Sequence, residues 1–188
     1  MDDFAEFFAA TRHGAFRAVY AATGSRAGAE DAVAEAYARG YADWPRLREH
    51  PEPVAWILRT ALNAHRSVWR RLRREVLGQA PPDRASPPTE ASGLDGPVRA
   101  AVAALPRRQR EVLALRLLAD LSAEQTGEIL GLASATVHVH LHRALAALRE
   151  RLTDGGPGSG APAARPPDGP EARDVIEFTM GRVVRHAY

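Results

Sequence analysis

The chain of 188 residues contains no cysteine and no lysine. The first absence excludes a disulfide framework and any thiolate metal site. The second means that all 25 basic residues are arginines. A GC-rich coding bias accounts for that as well as a demand for bidentate contacts does, so it carries no functional weight. No run of eighteen apolar residues occurs, which excludes a membrane-spanning helix. The N-terminus, MDDFAEFFAA, is acidic and lacks the basic start and cleavage site of a secretory signal. A cytoplasmic location is expected. There is no Walker loop, HExxH or GxSxG motif, no repeat and no strand pattern. The chain does not read as an enzyme, and neither a cofactor nor a metal is expected.

What is present is a charge asymmetry. The formal net charge is only +2. Up to Leu58, acids outnumber arginines, whereas between Arg59 and Gly78 six arginines (Arg59, Arg66, Arg70, Arg71, Arg73, Arg74) face only Glu75. A local basic cluster says more about partners than the total does.

Hydrophobic spacing predicts an all-α protein, two small helical domains joined by a flexible linker. The first domain spans 1–78. One helix carries Phe4, Phe7, Phe8, Ala15, Val19 and Tyr20 and closes near Gly24. A second runs from Ala27 to Ala42 with Ala32, Val33, Ala36 and Tyr37 inward. Pro45, Pro51 and Pro53 punctuate the connection to a third, from Glu52 through Trp56, Ile57, Leu62 and Val68 to Arg74. Residues 79–93, rich in proline, alanine and serine, read as the linker. The second domain spans 94–152, with helices over Leu94–Leu105 and Arg107–Leu118 separated by Pro106. In the extension, 153–188, a Gly/Pro/Ala-rich leader reads as disordered. Val175, Ile176, Met180, Val183 and Val184 suggest a short amphipathic helix after it.

The second domain ends in LSAEQTGEILGLASATVHVHLHRALAALRER, the layout of a helix-turn-helix. Ser122 and Gln125 form a capping box, each side chain satisfying the other residue's free N–H. Gly131 supplies a residue that leaves a helix with positive φ. Val137, Leu141, Ala144, Leu145 and Leu148 make the buried stripe of the second helix. His138, His140, His142 and Arg143 lie largely off that stripe. His138 and His142 are four apart, but no carboxylate or cysteine close in sequence completes a metal site.

Three segments in order resemble the extracytoplasmic-function type of bacterial RNA polymerase sigma factor, particularly the small actinobacterial kind. AEDAVAEAYARGYADW (29–44) is similar to the family's polymerase-binding helix, and PVAWILRTALNAHRSVWRRLRR (53–74) to its promoter-opening helix. LPRRQREVLALRLLADLSAEQTGEILGLASATVHVHLHRALAALR (105–149) resembles its upstream-element reader. The resemblance implies a specificity subunit that binds core RNA polymerase, directs it to promoter DNA and helps to melt it. It also allows an anti-sigma factor as partner. The polymerase-binding set it implies is Asp31, Glu35, Tyr37 and Arg39, with Asp31 and Glu35 four apart on one helix face. The downstream-element set is Trp56, Asn63, Arg66, Trp69, Arg70 and Arg71. There arginines neutralise phosphates, asparagine reads a base edge and tryptophan stacks. Trp56 falls on the apolar stripe, where a core role competes. The upstream-element set is Ser134, Thr136, His138, Val139, His140, His142 and Arg143. The chain departs from the family pattern at Ala34 (commonly Gln), Ala133 (Ser or Pro), His138 (Lys or Arg) and His140 (Arg). Two rival readings share these residues: a helix-turn-helix regulator that needs another sigma factor, and a decoy that binds polymerase without reading DNA.

Overall fold

The computed structural model describes residues 3–75 and 96–153. The expected linker at 79–93 and the expected C-terminal helix around Val175 lie outside the described residues. Within them the regular structure is helical throughout: α1 (Phe4–Thr23), α2 (Arg26–Ala42), α3 (Trp44–Leu47), α4 (Pro53–Glu75), α5 (Gly96–Ala103), α6 (Arg107–Leu117), α7 (Ala123–Leu130) and α8 (Ser134–Thr153).

Local chemistry fixes the ends. Asp3 caps α1 by accepting from the Ala5 N–H at 3.0 Å. Gly24, at φ 72°, closes the same helix in the left-handed region. Ser25 then caps α2 by accepting from Gly28 N–H at 3.2 Å. The short helix α3 is absent from the sequence expectation, which took Pro45 for punctuation. Proline is tolerated in a first helical turn, because the N–H it lacks has no intrahelical partner there.

In the first unit α4 packs across α2, with Ile57, Leu58, Ala61 and Leu62 buried. The crossing is close at Gly40, where a Cβ would stand 3.0 Å from Leu47 Cδ2 and 3.1 Å from Ile57 Cδ1. At the open end of α1, Phe7 and Tyr37 are buried among the rings of Phe4, Phe8, Tyr41 and Trp44. Val68, expected on the stripe of α4, is 55% exposed.

In the second unit α6, α7 and α8 enclose Val112, Leu115, Leu121, Ile129, Leu130, Val137, Leu141 and Leu148. Helix α5 ends at Ala103, two residues before the expected Leu105. Its last turn tightens, with Leu105 N–H reaching Val102 O at 3.1 Å before Pro106. Helix α6 also packs on α1, so the two units touch.

Candidate polymerase and nucleic-acid surfaces

On α2 the side chains of Asp31, Ala34, Glu35 and Arg39 are exposed. The face is less acidic than its sequence suggests, because Arg39 ion-pairs Glu35 one turn away, as Arg26 does Glu30 at 2.9 Å. Tyr37 requires a correction. It is 3% exposed, and its hydroxyl lies 2.7 Å from Thr11 Oγ1. Burial raises its pKa and the Thr11 hydrogen bond partly offsets that. Tyr37 therefore supports the face from beneath and presents nothing to a partner.

On α4 the apolar side is committed to the core, and the opposite side brings Asn63, Arg66 and Arg70 together at helical spacing. Asn63, Arg70 and Arg71 are exposed. Arg66 Nη1 donates to Asn63 Oδ1 at 3.4 Å, and Nη2 donates to Glu111 Oε1 at 3.3 Å. Trp69 is half-buried, with the Arg107 guanidinium 5.8 Å from its ring centroid. Trp56 is corrected as well. Its ring packs half-buried against the core, 3.7 Å from where a Cβ on Gly40 would stand. Its ring is thus engaged in the packing.

The helix-turn-helix is built as its residues demand. Ser122 Oγ accepts from Gln125 N–H at 3.1 Å, and Gln125 Oε1 accepts from Ser122 N–H at 2.6 Å. Gly131 sits at φ 68°. The buried residues of α8 are Val137, Leu141, Ala144, Leu145 and Leu148. His138, Val139, His142 and Arg143 are exposed together on the other side, with Ser134 and Thr136 partly exposed at its start. His140 differs: it flanks the stripe, is half-buried, and its Nδ1 is enclosed without a partner. Across the turn, the Glu124 carboxyl is held below the usual carboxylate range. Its own backbone N–H does most of this, then the Ser122 hydroxyl, with smaller pulls from His138 and Arg116. A carboxylate thus shares the surroundings of His138.

Four residues that shape these surfaces escaped the sequence reading. Gly127 lies so close to the turn that a Cβ would stand 2.5 Å from Leu132 O. His65 lies beneath α2, its ring 3.0 Å from where a Cβ on Gly28 would be. Burial lowers the His65 pKa, Arg107 and Arg66 lower it further, and Glu111 opposes them. Arg110 and Glu111 are 2% and 3% exposed. The pairing of Arg107 with Glu111 was visible as an i, i+4 spacing, but nothing in the spacing signals burial. Among the described residues no three His, Asp or Glu side chains cluster so as to hold a metal ion, and no helix is long and apolar enough to cross a membrane.

Comparison with known proteins matches residues 7–75 to Sigma-70 region 2 and residues 96–148 to Sigma-70, region 4. The RNA polymerase sigma-E factor of Streptomyces antibioticus is 33% identical over 126 residues, covering 66% of this chain and 70% of the relative. Its Streptomyces coelicolor counterpart is 34% identical over 130 residues, covering 66% and 71%. The ECF RNA polymerase sigma factor SigD of Mycobacterium tuberculosis is 31% identical over 133 residues, covering 60% and 57%. In fold the chain is similar to the sigma factor RpoE of Bartonella quintana, solved in complex with the anti-sigma factor NepR. That likeness has a TM-score of 0.68 at 23% identity, over 81% of this chain and 98% of that one. The chain belongs to the sigma-70 family of RNA polymerase sigma factors, in its extracytoplasmic-function group. It is a specificity subunit that binds core polymerase and promoter DNA and is not itself a catalyst. The reading as a separate helix-turn-helix regulator falls away.

Proposed function

We propose that the two units divide promoter recognition between them. Residues 1–78 bind core polymerase and the downstream element, and residues 94–152 read the upstream element. The observation that carries this reading is the two-sidedness of α4: Ile57, Leu58, Ala61 and Leu62 are buried, while Asn63, Arg70 and Arg71 stand on the outer side. Its arginines neutralise phosphates. Asn63 offers both a donor and an acceptor to an unpaired base drawn from the stack. Trp69 supplies a stacking face once it is uncovered. On α2, Asp31, Glu35 and Arg39 form the surface for polymerase, with Tyr37 holding it in place. On α8, Ser134, Thr136, His138, Val139, His142 and Arg143 face the major groove, and His140 orients the helix from its flank.

Arg143 is the one permanent positive charge in this groove-facing set, so the downstream contacts supply most of the phosphate attraction. The protein acts in the cytoplasm, where polymerase is. An anti-sigma factor as partner follows the precedent of the Bartonella protein. The test is run-off transcription with purified core polymerase and permanganate footprinting of the open complex. Asn63→Ala is expected to cost about 1–3 kcal/mol of open-complex stability and to relax preference at one base. An unaltered footprint refutes the role given to Asn63. A chain that binds core polymerase but yields no promoter-dependent transcript is a decoy.

A further inference from the structure

Helix α8 turns one apolar side chain straight outward. At about 100° per residue, Val139 stands about 180° around the helix from the mean direction of the buried Val137, Leu141, Ala144, Leu145 and Leu148. It is 48% exposed, the one large hydrophobic side chain exposed among the described residues of the second unit. Ala135 stands one turn before it and His142 and Arg143 about one turn after, all three exposed. We propose that Val139 sets base specificity: it selects a thymine in the upstream element by packing against the 5-methyl group of that base. The proposal rests on the reading that this side of α8 enters the major groove.

The chemistry of the groove leaves one base. The valine side chain neither donates nor accepts a hydrogen bond, so it can only read apolar surface. Guanine presents N7 and O6 there, adenine N7 and an amino group, cytosine an amino group; thymine alone carries a methyl. Against that methyl, valine takes apolar surface of both partners out of water. Against the other bases it strips water from a polar edge and returns no hydrogen bond. The same residue thus favours thymine and disfavours its competitors.

The side chain is also held in place. Val137 is 0% exposed and Leu141 7%, so the backbone on either side of Val139 is anchored in the core. A β-branched residue in a helix keeps one preferred χ1 rotamer, which fixes where its methyl groups stand. Helix stability does not explain a valine at this position, since alanine is the better helix former at an exposed site.

The test uses holoenzyme assembled on the full chain. Promoter duplexes randomised across the upstream element are selected by wild-type holoenzyme, and each selected thymine is replaced in turn by uracil, which lacks only the methyl group. At one thymine, uracil is expected to weaken binding about fourfold, the worth of one methyl removed from water. In Val139→Ala that penalty is expected to disappear, because the shorter side chain does not reach the methyl, and a fresh selection should lose its preference at the same base pair. Uracil tolerated at every position overturns the proposal, as does a uracil penalty equal in both proteins. So does a Val139→Ala chain that loses affinity for core polymerase, which would make the residue a protein contact. Arg143→Ala separates the premises. If it alters the upstream selection while uracil is tolerated throughout, the thymine assignment fails and the groove reading stands; if both variants select as the wild type does, the groove reading itself is refuted.

Discussion

The first helical unit holds ten aromatic residues between Phe4 and Trp69, whereas the second, from Gly96 to Thr153, holds none. The first builds its core from rings that fill large volumes, around Phe7, Tyr20 and Tyr37. The second builds from alanine, valine, isoleucine and leucine, and it buries an arginine and a glutamate as well. Its turns depend besides on backbone geometry: a capping box, a left-handed glycine and a turn with no room for a methyl group. Ring packing marks one unit, and backbone placement marks the turns of the other. All three tryptophans, Trp44, Trp56 and Trp69, belong to the first unit. Their fluorescence therefore follows that unit, while far-ultraviolet dichroism follows both.

This contrast is broken most severely by removing a ring. Phe7 is 3% exposed, and Phe7→Ala is expected to cost about 3–5 kcal/mol. In denaturant the fluorescence transition should move far to lower concentration, leaving a dichroism transition for the second unit near its original midpoint. If both signals shift together by the full amount, the units unfold as one and the division between packing and placement fails.

The second unit is tested by the opposite change, adding one carbon. Gly127→Ala introduces a Cβ 2.5 Å from the Leu132 carbonyl oxygen, a backbone atom that cannot swing aside. Overpacking of about 1–3 kcal/mol is offset by about 1 kcal/mol of helix propensity, for a net loss of up to about 2 kcal/mol. Dichroism-detected stability and binding to the upstream element should fall while the fluorescence midpoint stays. A stable, DNA-competent Gly127→Ala chain would show that the turn has slack.

A smaller effect should appear where the two units meet. His65 lies against Gly28 of α2 and is influenced by Arg107 and Glu111 of α6 and by Arg66 on its own helix. Burial, with Arg107 second, puts its folded pKa below the ordinary 6.5, so the unfolded chain takes the proton first as pH falls. Stability is therefore unaffected well above pH 6.5 and declines as pH drops from 6.5 through the folded value. His65→Gln should flatten that decline between neutral and mildly acidic pH. An equal slope in both proteins would assign the acid sensitivity elsewhere.

The helix-turn-helix was legible residue by residue, because each of its devices is local. Ser122 and Gln125 need only each other, Gly131 only its own φ, and the α8 stripe only its period. The two-sidedness of α4 was legible for the same reason. The role of α6 was not. Its Arg110 and Glu111 look like solvated charges until a second unit covers them, and that unit is far away in sequence. Tyr37 differs at the candidate site. Its spacing on α2 put it inward, as found, and only the family resemblance made it a contact residue; α1 completes its burial, through Thr11 and the ring of Phe8. Spacing tells which face a residue occupies; it does not tell what comes to cover that face.

The smallest expected effect sharpens the claim that placement governs the turns of the second unit. Asp120 joins α6 to α7 at φ 50°, the one non-glycine residue with positive φ among those described. It is exposed, so packing is nearly silent there and the backbone alone decides. A left-handed residue with a Cβ is strained by about 1–2 kcal/mol, less for aspartate, whose short polar side chain bonds locally. Asp120→Gly removes the strain but loosens the unfolded chain, so a net gain of only about 0.5 kcal/mol is expected. Asp120→Ala keeps the Cβ and loses the local polar group, and should cost about 1 kcal/mol. Dichroism-detected unfolding of the three proteins should rank them glycine, aspartate, alanine, with identical fluorescence transitions. An alanine variant as stable as the wild type would mean that this turn carries no strain, and that the second unit is less dependent on its backbone than its caps and glycines imply.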